Sequence, residues 1–169
     1  MIGKSYNVLF LCTSNSARSI LAEVLVEHWG KGRFIGYSAV SFPRGNVHPL
    51  ALDLLDRLDL RTANLCSKSW DEFASPGAPV MDFVFTVCDQ AGGELCPVWP
   101  GYPVTAHWGV SDPAPLIGSD EQRPAGVLRC YRQLEARIKL FVALPLDKLD
   151  RMTLKRQVED IGRSLAEQP

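Results

Sequence analysis

Apolar and polar positions along the chain fall into short blocks of two kinds. Residues 7–11, NVLFL, are a continuous apolar run, which suits a strand covered on both faces, as in a parallel sheet. From 17 to 29 the spacing changes: Ile20, Leu21, Val24, Leu25 and Trp29 recur at helical intervals, and Gly30 is a fitting stop. FIGYSAV (34–40) predicts a second strand, Pro43 to Pro49 a loop, and LALDLLDRL (50–58) a helix. TANLCSKSWDEF predicts a turn and a short helix, VMDFVFTVC (80–88) a third strand and VTAHW (104–108) a fourth. Between these two strands Gly92, Gly93, Pro97, Pro100 and Pro103 keep the chain irregular. After a Pro/Gly/Asp loop over 109–120, a long helix fits 121–143 with Pro124 in its first turn. Pro145 breaks it, and 147–166 reads as a polar final helix. Strands that alternate with helices predict an α/β fold, a four-stranded parallel sheet flanked by helices, because each parallel crossover needs a helix to cover a face.

A chain of 169 residues fits one domain with a sizeable core. We take 1–144 as its body and 145–169 as an appended C-terminal helix of the same single domain, facing solvent or a second copy. The formal net charge of −1 leaves no bulk electrostatic case for nucleic acid or an anionic membrane. No apolar run is long enough to span a bilayer, and MIGKSYNVLFLC lacks the small-residue cleavage site of a signal peptide. The expected location is cytoplasmic. There, five cysteines without a CxxC pair or zinc-like Cys/His spacing are expected to be buried, catalytic or redox-active rather than stapled or metal-bound.

The chemistry concentrates where the first strand runs into the first helix, CTSNSARS (12–19). In an open α/β sheet, ligands bind beyond the carboxyl ends of the strands, and Cys12 ends the first one. The N–H groups of the following helix have no intrahelical partner, and the helix dipole adds positive potential. A loop of Thr13, Ser14, Asn15, Ser16 and Ala17 leading to Arg18 is therefore a cradle for a tetrahedral oxyanion. Arg18 adds two parallel charge-assisted hydrogen bonds. The same field favours a thiolate on Cys12, to which Ser19 can donate its hydroxyl, and Asn15 tolerates the left-handed turn that curves the loop.

CTSNSARS resembles the signature loop of the low-molecular-weight phosphotyrosine phosphatase family, and most of all its arsenate reductase branch. The resemblance extends over residues 7–115, through YSAVSFPRGNVHP, TVCDQAGGELCPVWPG and TAHWGVSDP. It implies a flavodoxin-like strand order, Cys12 as nucleophile, 13–18 as oxyanion cradle and Asp112 as general acid. It also implies no bound redox cofactor and no catalytic metal. Asn15, Glu23 and Ser38 are similar to positions that hold a potassium ion in some relatives. Departures are Ser14, where many relatives have Gly or His; Ala17, where phosphatases often carry a second cysteine; and Val40 in place of a common glycine.

Asp112-Pro113 follows the fourth strand, where a carboxylic acid facing the cradle can protonate a leaving oxygen. Phosphatases of the family usually place a tyrosine after this pair to pack on an aromatic substrate; here Ala114 and Pro115 follow. Cys88 ends the third strand, at the same sheet edge as Cys12, and Cys96 lies beyond a loop containing Gly92 and Gly93. A first nucleophile, a second thiol that attacks it and a resolving thiol on bendable backbone make up a thiol relay. The resemblance implies arsenate or phosphate as the oxyanion, and thioredoxin, or glutaredoxin with glutathione, as the reductant. Three readings stay open at this level: an arsenate reductase, a low-molecular-weight protein tyrosine phosphatase hydrolysing phosphate monoesters, and a non-enzymatic oxyanion-binding or redox-regulated module. Cys66 and Cys130 read as packing residues, and His107 as a structural hydrogen-bonding histidine.

Overall fold

The computed structural model of the chain describes residues 5–12, 16–40, 49–62, 65, 68–75, 77–87, 103–109 and 122–164. Its sheet is assembled from β1 (Tyr6–Cys12), β2 (Phe34–Val40), β3 (Phe83–Thr86) and β4 (Val104–His107), in the order β2-β1-β3-β4, every neighbouring pair parallel. This is the parallel sheet that the alternating elements predict, in the flavodoxin-like order that the family resemblance implies. β1 lies inside the sheet, which explains its unbroken apolar character. Val8, Phe10 and Cys12 face one apolar cluster and Leu9 and Leu11 the other, all fully buried.

The larger cluster lies under α1 (Ser16–Gly30), α2 (Pro49–Arg57) and α4 (Gln122–Val142). Its centre is aromatic: Phe10, Phe83, Phe85, Trp108 and Phe141, with the Phe85 and Trp108 rings stacked 4.0 Å apart. On the other face Trp70 and Phe73, around the short helix α3 (Asp71–Ala74), cover Leu9, Leu11, Met81 and Val84.

Two elements differ from the sequence expectation. The third strand is Phe83–Thr86 rather than 80–88. Val80 is exposed, with its carbonyl accepting from Asn7 Nδ2 at 2.9 Å, and Asp82 Oδ2 takes the Asn7 N–H at 2.8 Å. Asp82 adds backbone bonds to both neighbours, its N–H donating to the Asn7 carbonyl at 2.9 Å and its carbonyl accepting from the Val104 N–H at 3.0 Å, so side-chain and backbone bonds together hold this edge of the strand. The last helix begins later: a 3-10 turn (Leu146–Lys148) precedes α5 (Arg151–Ser164). Asp150 sets that start, its Oδ1 accepting from the Thr153 N–H at 2.7 Å. That bond holds its carboxyl below the usual range. Far from facing solvent all round, α5 buries Leu154, Val158 and Ile161 and packs along β4. Gly162 makes the approach close: a Cβ there would meet the His107 carbonyl oxygen at 2.5 Å.

Candidate active site

Cys12 is the last residue of β1, in register with Val40 of β2, and has no solvent exposure. On the other side the pairing continues one step past β3: the Val87 N–H donates to the Leu11 carbonyl at 2.9 Å, beside the peptide that leads into Cys12. By strand alternation Cys12 shares the face of Phe10, the face on which α1 lies. The helix starts at Ser16, so three residues link the nucleophile candidate to the first turn.

Arg18 and Ser19 stand in that turn, 4% and 1% exposed. A strand-end cysteine and an arginine buried at a helix N-terminus are the elements of the expected anion cradle. The backbone of Ser16 and Ala17 is helical. Thr13, Ser14 and Asn15 lie outside the described residues, as do Cys66, Cys88, Cys96 and Asp112. Cys130, on α4, is buried in the core.

Three strand ends meet at this edge. Thr86 pairs with His107, and Thr86 Oγ1 lies 2.6 Å from His107 Nδ1, so His107 ties β4 to β3. The Trp108 N–H donates to the Thr86 carbonyl at 2.6 Å. Described residues thus run to Val87 on one strand and Gly109 on the next, one step before Cys88 and three before Asp112.

Behind the first turn, Ser38 Oγ donates to Glu23 Oε1 at 2.8 Å, while Arg61 Nη2 lies 2.5 Å from Glu23 Oε2. Arg61 also faces Glu27, whose Oε1 accepts the Gly36 N–H at 3.1 Å. Both oxygens of the buried Glu23 are engaged and a guanidinium already neutralises it. Glu23 and Ser38 therefore do not fit a potassium ion: a second cation would meet the charge of Arg61. Arg61 gave no signal in the sequence, because its partner lies 38 residues away. Among the described residues no cluster of three or more His, Cys, Asp or Glu side chains could hold a metal ion, and no helix is long and apolar enough to cross a membrane.

A parallel sheet in this order, with a cysteine at the end of β1 and a buried arginine in the first turn of α1, is the framework of a flavodoxin-like α/β protein whose carboxyl edge carries the candidate site. The sequence pattern of the low molecular weight phosphotyrosine protein phosphatase family matches residues 7–158, and the chain belongs to that family. An arsenate reductase of Halalkalibacterium halodurans is 34% identical over 139 residues, covering 79% of this chain and 93% of that protein. The crystal structure of arsenate reductase from Archaeoglobus fulgidus is 28% identical with a TM-score of 0.63, covering 81% of this chain and 99% of the other. A low molecular weight protein tyrosine phosphatase from T. tengcongensis superposes with a TM-score of 0.65 over 83% of this chain and 100% of its own, at 22% identity, a likeness of fold alone.

Proposed function

We propose that the chain is an arsenate reductase that works by a cysteine relay and is regenerated by an external thiol donor, thioredoxin or glutaredoxin with glutathione. One observation carries this reading. Cys12 ends β1 beside Val87, which is bonded to Leu11 one residue past β3, and Cys88 is the next residue in the chain. A second thiol one peptide link beyond that contact is what a reductase needs and a phosphatase does not. The similarity to arsenate reductases over most of the chain supports it, as does Ala114 where an aromatic residue would serve an aryl phosphoester.

The roles follow from the chemistry. Arsenate sits in the loop 13–18, its charge met by Arg18 and the first N–H groups of α1. The Cys12 thiolate attacks arsenic, and Asp112 gives a proton to the departing oxygen, which leaves as water. The Cys88 thiolate then attacks the Cys12 sulfur. The S–As bond breaks, its electron pair stays on arsenic, and arsenite departs, leaving a Cys12–Cys88 disulfide. Cys96 attacks Cys88, which frees Cys12 as a thiolate and leaves Cys88–Cys96 for the external dithiol to reduce.

The test is arsenate-dependent NADPH consumption coupled through thioredoxin and its reductase, or through glutaredoxin and glutathione. Cys12→Ser, Cys88→Ser and Cys96→Ser are each expected to lose turnover, the first two before any arsenite forms. Hydrolysis of an aryl phosphate that survives Cys88→Ser, with no arsenate turnover in the wild type, would overturn the reading in favour of a phosphatase.

A further inference from the structure

Arg137 is a charged side chain in α4 with 1% exposure. Its Nη1 donates to two consecutive carbonyls, Trp108 at 3.0 Å and Gly109 at 2.9 Å. β4 ends at His107, so these carbonyls are the first beyond the ladder. Keeping a guanidinium from water is costly, so a buried arginine persists only where acceptors are well placed around it. One nitrogen bonded to two successive peptides fixes the course of the backbone at Trp108 and Gly109 as it leaves the sheet.

The same two residues are held from other sides. The Trp108 ring is stacked on Phe85 with planes 11° apart, and its Nε1 donates to the Val158 carbonyl of α5 at 2.8 Å. The Trp108 N–H is bonded to Thr86. β3, α4 and α5 thus converge on the root of the segment that carries Asp112, three residues past Gly109. Three residues reach about 10 Å at most. A general acid misplaced by about an ångström costs on the order of 100-fold in rate.

We propose that Arg137 is a positioning residue for the general acid: by clamping the Trp108 and Gly109 carbonyls it sets where Asp112 delivers its proton, without touching substrate. This rests on the reading of Asp112 given above. Reduced full-length protein is mixed with arsenate in the absence of any reductant, and loss of protein thiols is followed through a single turnover. Alkylation of Cys12 by iodoacetamide serves as the readout of the cradle. Arg137→Met is expected to slow thiol loss by roughly 10- to 100-fold while alkylation stays within about twofold. Arg137→Lys, which keeps the donors, is expected to recover most of the rate, and it decides the matter if the methionine variant does not fold. In an Asp112→Asn background, Arg137→Met should cost no more than about a further twofold, because both act on one proton transfer.

Multiplying effects in the double variant, or alkylation that slows in step with turnover, would overturn the clamp and leave Arg137 a purely structural residue. Asp112→Asn reacting at the wild-type rate would instead sink the general-acid reading, and with it the purpose of the clamp. If the wild type does not react with arsenate, the reductase reading fails separately. The same four variants then report leaving-group protonation through aryl phosphate hydrolysis.

Discussion

Cys12 is fully buried where β1 runs out, with three residues between it and the start of α1 at Ser16. Glu23, in the same helix, shows how a single distant residue changes the chemistry of a neighbourhood. Its carboxylate is 5% exposed and carries its own fixed cation in Arg61. The wild type is therefore expected to melt at the same temperature in potassium as in choline salts of equal ionic strength. Arg61→Ala is expected to lose roughly 2–3 kcal/mol, less than for a fully buried pair because Arg61 is one-third exposed, and to become responsive to potassium. Potassium-specific stabilisation of the wild type would restore the cation site at Glu23 and Ser38. Tyr131 offers a separate pH prediction. Burial, with Glu135 accepting its hydroxyl at 3.0 Å, pushes the phenol from 10.0 up to about 12. The folded state thus holds the proton more tightly than the unfolded one. The stability this confers is complete below pH 10 and is lost as pH rises through about 12. Urea unfolding across that window should show the loss in the wild type and a smaller one in Tyr131→Phe.

Among elements, the packing of α1 on β2 sets where the first turn of the helix lies. A Cβ at Gly36 would collide with the Glu23 carbonyl oxygen and meet Val26 Cγ1 at 2.9 Å. The helix crosses the strand there on bare backbone. Gly36→Ala is expected to cost about 1–3 kcal/mol by forcing α1 outward. Because the helix carries Arg18 and Ser19 at its other end, the variant should also alkylate more slowly at Cys12. Chemical unfolding and an iodoacetamide time course measure the two effects. Elements with one simple cause were legible from sequence. β2 is Phe34–Val40, as its apolar run indicates, and α4 is Gln122–Val142, close to the 121–143 its periodicity suggests. Elements whose limits depend on distant partners were not. Side-chain bonds from Asn7 to Val80 and Asp82 mark the start of β3, and the Asp150 cap delays α5 past the residues that looked helical.

For the molecule as a whole, α5 is structural rather than ornamental. It covers the edge strand β4, supplies the acceptor for the buried Trp108 indole and buries Leu154, Val158 and Ile161. Removing residues 145–169 withdraws at least four buried apolar side chains, Leu146, Leu154, Val158 and Ile161, worth about 1.5–3 kcal/mol each, comparable to the roughly 5–15 kcal/mol that hold a domain together. The truncated chain is expected to lose its cooperative thermal transition and to shift its tryptophan emission to the red. A sharp transition in the truncated protein would make the helix an independent appendage. The sequence by itself determined the α/β class, the parallel sheet and the position of Cys12 and Arg18 around the first turn. Those depend on periodicity and on residues only a few positions apart. The tertiary structure alone decided that Arg61 neutralises Glu23, that Gly36 admits α1 and that Arg137 grips the root of the Asp112 segment. Each of these joins residues far apart in the chain, and neither local propensity nor hydrophobic pattern records which distant group a buried charge will meet.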